Sequence, residues 1–161
     1  MSPTEHTLQI ERVLNAPLAS IWRCWTEPEL LQQWFCPKPW RVTKAELELH
    51  SGGRFFTRIE GPNGEAHDLD GVLLLVEPQS RIIFTDAFRK GWLPSSRAFM
   101  TGDVSFAAEG NTTRYTAQSG AGAVKLTCSP LAGCVKLIFH ACRQSGVSPT
   151  SFVWRGASSP L

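Results

Sequence analysis

Apolar residues alternate or cluster along the chain in a way that changes period twice. The run TLQIERVL at 7–14 is strand-like and closes at Asn15-Ala16-Pro17. Beyond it Leu18, Ile21, Trp22 and Trp25 recur at helical spacing, and Pro17 suits a first helical turn, where a missing N–H costs nothing. Thr26 predicts the N-cap of a second short helix, PELLQQWF, with Glu27 and Glu29 near its positive end. Pro37 and Pro39 cannot continue that helix.

From residue 41 the period falls to two. In RVTKAELEL, Thr43, Ala45, Leu47 and Leu49 alternate with Val42, Lys44, Glu46 and Glu48, which predicts a strand with one dry and one wet face. Ser51-Gly52-Gly53 turns the chain into RFFTRIEG, and Pro62-Asn63-Gly64 turns it again. AHDLDGVLLLVEP, RIIFTDAF, RAFMTGDVSFAAE and TTRYTAQ read as further strands, and Gly71 inside its strand predicts a bulge or sharp bend. The order is one strand, two short helices, then six strands in hairpin succession. That is α+β with a strongly curved antiparallel sheet of about seven strands.

A curved sheet needs cover on its concave face. The candidate is a helix over about 130–145, capped by Ser129, with Pro130 at its first position and Gly146 closing it. Leu131, Cys134, Val135, Ile138 and Cys142 would form its apolar stripe, although Gly133 weakens it. Ser119 to Ala123 reads as a short linker, and residues after Val147 as a frayed tail. The expected division is therefore a domain over 1–118 and an atypical C-terminal segment over 119–161.

Composition narrows the class. With 161 residues, 42% hydrophobic, one domain can bury roughly 68–70% of its unfolded surface, enough for a core without disulfides. No stretch approaches the roughly 20 apolar residues of a membrane span, so no membrane insertion is expected. The N-terminus lacks a signal-peptide pattern, which makes the cytoplasm the expected location. Five cysteines without a C-x-x-C pair argue for buried reduced thiols over a disulfide framework or zinc site. All 14 acidic residues lie between Glu5 and Glu109, whereas residues 110–161 carry five scattered bases and no acid. Five unclustered charges do not make a nucleic-acid footprint.

Ala16-Pro17 with Ile21-Trp22 and Trp25, then Pro28-Glu29-Leu30, Gln33-Trp34-Phe35 and Pro37-Lys38, form an ordered set of motifs. Gly52-Gly53-Arg54-Phe55, Gly71 to Pro78, Arg81-Ile82-Ile83-Phe84 and Thr113-Arg114-Tyr115 complete it. In this order they resemble the SRPBCC (START-like) superfamily, nearest the branch named after the activator of the heat-shock protein 90 ATPase, over roughly residues 7–117. The resemblance implies a helix-grip fold around a hydrophobic cavity. Most members carry or sense lipophilic small molecules, some are cyclases or hydratases, and a few bind proteins. After Gln118 the motifs stop where the acidic residues also stop, which points either to a shifted reading frame from about 118 onward or to a divergent helix in the same place.

No catalytic signature stands out, and no metal or cofactor is expected: the chain has no phosphate-binding glycine loop, H-E-x-x-H or nucleophile elbow. His67-Asp68-x-Asp70 is the densest polar cluster, but in a strand His67 and Asp68 face opposite sides. Asp86 and Asp103 would serve as a general base only if they faced the cavity. Large apolar area is what the chain supplies: six Trp and nine Phe against one Tyr. Trp34, Phe35, Trp40, Phe55, Phe84, Phe88, Trp92, Phe99 and Tyr115 are the candidate ligand-binding residues, about two thirds of them expected in the core and the rest lining the cavity. Residues 88–94 read as an exposed aromatic loop whose Arg89 and Lys90 would attract an anionic head group. The expected function is non-catalytic binding of a small lipophilic ligand, as carrier or sensor. The alternatives are a cyclase- or hydratase-like enzyme using a cavity carboxylate, and a co-chaperone-like domain with a chaperone partner; a stress-response role follows from the family name alone. The oligomeric state is not legible.

Overall fold

In the computed structural model, which describes residues 7–36, 38–96, 98 and 100–121, a single sheet of seven strands carries the fold. The strands are β1 (Thr7–Leu14), β2 (Arg41–Leu47), β3 (Arg54–Glu60), β4 (Ala66–Glu77), β5 (Arg81–Thr85), β8 (Met100–Glu109) and β9 (Thr112–Ala121). Between β5 and β8, β6 (Phe88–Arg89) and β7 (Leu93–Pro94) form a separate two-stranded hairpin. The spatial order is β1-β9-β8-β5-β4-β3-β2, antiparallel throughout. This is the expected α+β helix-grip sheet. The chain closes it by returning β9 to the first strand, with Ile10 opposite Ala117.

Helices α1 (Leu18–Thr26) and α2 (Pro28–Trp34) fill the concave side. Ile21, Cys24 and Trp25 of α1 and Leu31 and Trp34 of α2 are buried in one cluster with Phe55, Leu73, Ile82, Phe84, Val104, Phe106, Tyr115 and Ala117 of the strands. Strand alternation selects those residues, since positions two apart share a face. Thr26 does not cap α2. It ends α1, its hydroxyl donating to the Trp22 carbonyl at 2.9 Å, and Glu27 holds the N-cap position without a side-chain bond. A threonine hydroxyl bonding back one turn competes with the capping geometry.

Two glycines let the sheet curl. A Cβ at Gly71 would collide with the Thr85 carbonyl of the neighbouring strand, so the bend expected there is a close backbone approach. The registers slip nearby, between Leu73 and Leu75, and again between Val42 and Lys44. A Cβ at Gly102 would lie 2.6 Å from Phe84 Cε1, so the Phe84 ring lies across a position with no side chain. β9 continues through Ser119 and Gly120 to Ala121, residues the sequence pattern assigns to a linker. The expected helix over 130–145 and the tail lie outside the described residues.

The convex face is polar and cross-linked. Arg54 donates to Asp70 at 2.8 Å and pairs with Glu46, Arg58 pairs with Asp68, and Arg54 lies 4.3 Å from the centre of the Phe56 ring. Val72, opposite Arg54 in the register, belongs to this face yet is fully buried. The β6–β7 hairpin reaches this side: Lys90 Nζ lies 2.5 Å from Glu48, itself hydrogen-bonded to the Arg54 N–H, and the Trp92 ring packs on Gly52.

Candidate functional site

Trp25 is the hub of the concave face. Its ring meets Trp34 at 4.8 Å, Phe84 at 6.1 Å, Phe35 at 6.3 Å, and Phe106 and Tyr115 at 6.4 Å. Trp34 Nε1 donates to the Cys24 carbonyl at 2.9 Å, tying α2 to the end of α1. Phe55 and Phe84 stack at 4.6 Å and 16° over the space left by Gly102, and Phe35 adds an edge contact to Phe55 at 5.7 Å. Offset and edge-on rings at these distances attract beyond their buried area.

Two polar atoms in this apolar surround have no hydrogen-bond partner among the described residues: the Trp25 indole Nε1 and the Thr57 hydroxyl. Thr57 is fully buried and two residues along β3 from Phe55, hence on the same face, opposite Ala45 on β2 and Leu69 on β4. Phe35, Ala45, Leu47 and Leu69 around this region are only partly buried. Orphan buried groups are rare in native proteins and each calls for a reason.

Five of the nine candidate residues come together here: Trp34, Phe35, Phe55, Phe84 and Tyr115. Trp34, Phe55, Phe84 and Tyr115 are at most 1% exposed, whereas Phe35 is half-buried. Trp40 stands apart, stacked on His67 at 5.6 Å and 28°. Phe88 and Trp92 meet each other edge-on at 6.1 Å on the β6–β7 hairpin, both exposed. Phe99 lies outside the described residues. The sequence reading left Trp25, Trp22 and Phe106 out of the set. Trp22 and Trp25 carried a signal in their helical spacing, and Phe106 in its alternation with Val104, but each pointed only to a core position.

The candidate general bases are engaged elsewhere. Asp103 shares the convex face with Arg81 and is held by it at 2.6 and 2.9 Å. Asp86 Oδ1 accepts the Met100 N–H at 2.9 Å, which joins the end of β5 to the start of β8. Asp68, Asp70 and Asp86 line a polar cleft of about 300 Å³ between β4 and the hairpin, with Leu69, Arg89, Ser95 and Ser96. Among the described residues no three His, Cys, Asp or Glu side chains are grouped as metal ligands. Burial pushes the Cys36 thiol above its ordinary pKa, which keeps it protonated and a poor nucleophile at neutral pH. No helix among the described residues is long and apolar enough to cross a membrane.

The family model described as Activator of Hsp90 ATPase homolog 1-like protein matches residues 15–131. Among solved structures, a Nitrosomonas europaea protein superposes with a TM-score of 0.80 at 28% identity, over 89% of this chain and 98% of its own. The AHSA1-like protein from Aeromonas hydrophila gives 0.69 at 19% identity, over 92% and 99%. A Chromobacterium violaceum protein gives 0.69 at 21%, over 84% and 95%. The latter two likenesses speak for the fold alone. No curated protein matches the sequence.

Proposed function

Because the chain belongs to the Activator of Hsp90 ATPase homolog 1-like family, we propose that its concave face binds a small lipophilic molecule without catalysing its conversion. The observation that carries this reading is an aromatic floor with two polar atoms, unpartnered among the described residues, beside partly buried apolar side chains. Small-molecule sites combine predominantly apolar walls with a few convergent polar groups. Asp103 and Asp86, occupied by Arg81 and the Met100 N–H, receive no catalytic role in this reading. Phe35, Phe55 and Phe84 are the walls; Trp34 and Tyr115 stand behind them as packing.

Titration with the neutral dye Nile red tests it. Saturable, blue-shifted emission is expected for the native chain, with strong weakening in Leu69→Glu, which places a charge beside Thr57. The same binding curve is expected for Trp92→Ala, because Trp92 sits on the hairpin. Absence of saturable binding, or loss only in Trp92→Ala, refutes the proposal.

A second reading, a protein-binding domain of the co-chaperone kind, draws on the exposed Leu49, Trp92 and Leu93, at 46%, 52% and 63% exposure. A chaperone ATPase assay separates the two. Stimulation by the native chain that is lost in Trp92→Ala supports this reading, and an unchanged ATPase rate removes it.

A further inference from the structure

The two orphan groups restrict what the occupant can be. Trp25 Nε1–H only donates, and a threonine hydroxyl can donate as well as accept, so one kind of partner, an acceptor oxygen, satisfies both. The surrounding charge pattern narrows the class further. Strand registers place Ile10, Arg12 and Leu14 of β1, Ala45 and Leu47 of β2, Phe55, Thr57 and Ile59 of β3, and Leu69 and Leu73 of β4 on the concave side. Across all seven strands of the sheet, the only formal charge on the described part of this face is Arg12, exposed on the edge strand β1. The titratable His67 lies toward the β3–β4 turn against Trp40. A carboxylate or ammonium on the β3 side of the floor would be desolvated without a partner among the described residues, which is far costlier than burying a neutral carbonyl.

Resting on the binding reading above, we propose that the ligand is an uncharged, mostly apolar molecule bearing a carbonyl or ether oxygen, and that Trp25 and Thr57 set this preference. Neither residue acts on a reacting bond. Both donors are already buried and unpaired among the described residues without ligand, so a ligand oxygen gains hydrogen bonds that a pure hydrocarbon cannot, while the hydrocarbon leaves the donors as they were.

The test uses two probes of one shape, 2-acetylnaphthalene and 2-isopropenylnaphthalene, which differ by C=O against C=CH2, and the anion 2-naphthoate. Dissociation constants come from isothermal titration calorimetry on the full chain. The ketone is expected to bind about tenfold tighter than the alkene, the ratio for one well-made hydrogen bond, and the naphthoate weakest of the three. Thr57→Val, which keeps the side-chain shape, is expected to cut the preference several-fold while leaving alkene affinity intact; Trp25→Phe is the companion variant. Equal binding of ketone and alkene, a preference untouched in Thr57→Val, or naphthoate binding tightest overturns the proposal while leaving lipophile binding in place. Failure of all three probes to bind overturns the binding reading as well.

Discussion

Thr57 and Thr113 are both fully buried on the concave side of the sheet, and the same substitution is expected to move stability in opposite directions at the two positions. The Thr113 hydroxyl donates to the Ala16 carbonyl at 2.8 Å, across 97 residues of sequence, and pins the start of α1 to β9. The Thr57 hydroxyl has no partner among the described residues. Valine preserves branching and nearly preserves volume, so packing changes little and the hydroxyl is the main variable. Removing an unsatisfied buried hydroxyl recovers its desolvation penalty, so Thr57→Val should gain about 1 kcal/mol. Removing the Thr113 hydroxyl loses a bond beside the buried Ala16, so Thr113→Val should cost about 1–3 kcal/mol. For a chain of this size each kcal/mol corresponds to roughly 2–4 °C in Tm, which separates the two variants by several degrees. Thermal melts give the sign, and urea titrations with unchanged m-values show that the folded state is the same. If Thr57→Val destabilises as much as Thr113→Val, the Thr57 hydroxyl is bonded in solution and the argument from orphan groups falls.

Gly102→Ala should cost about 1–3 kcal/mol, because the new methyl collides with a Phe84 ring already stacked on Phe55; Phe84→Leu should relieve much of that cost in the double variant, and additive effects would contradict the packing. Arg81→Ala should leave stability nearly unchanged, since its ion pair with Asp103 is largely solvated, and should leave ligand affinity unchanged in the same titration; a loss of affinity would tie Asp103 to the site. The convex carboxylates predict an acid limb in the stability curve. Lys44, then Arg54, holds the Glu46 carboxyl below its ordinary value of 4.5, and Lys90, then the Arg54 N–H, does the same for Glu48. A depressed carboxylate contributes stability above its unfolded-state pKa and loses it as pH falls through the folded-state value, so Tm should drop below about pH 4.5. Paired Glu46→Gln and Glu48→Gln changes should flatten that drop, and an unaltered acid limb would place its origin elsewhere.

Local pattern carried the sheet further than the site. The alternation in RVTKAELEL marked β2 as a strand, but a register slip puts Val42 among the buried residues. Phe55, Phe56 and Thr57 are buried in succession, so the facing of Thr57 comes from its pairing with Ala45 and Leu69; Pro28 with the prolines after Phe35 brackets α2 within a residue or two. Thr26 misled because a threonine before a proline-containing helix looks like a cap, while the choice between capping forward and bonding back to Trp22 depends on where α1 ends. The hairpin at 88–94 was legible as an exposed aromatic loop, but not as one that reaches Glu48 and Gly52, because that depends on tertiary placement. The roles of the carboxylates were hidden for the same reason. Asp103 finds Arg81 only through the β5–β8 register. Least legible were the orphan groups at Trp25 and Thr57: a missing partner is a property of the packed molecule, and nothing in the residue types announces it.

The central claim is that a lipophilic ligand occupies the concave face, and amide chemical-shift mapping tests it most directly. 2-Acetylnaphthalene titrated into isotopically labelled protein should shift the backbone amides of Ala45, Phe55, Thr57 and Leu69 together with the Trp25 indole N–H, and leave Phe88–Pro94 unmoved. Shifts confined to the 88–94 hairpin, or none at saturating ligand, would contradict it.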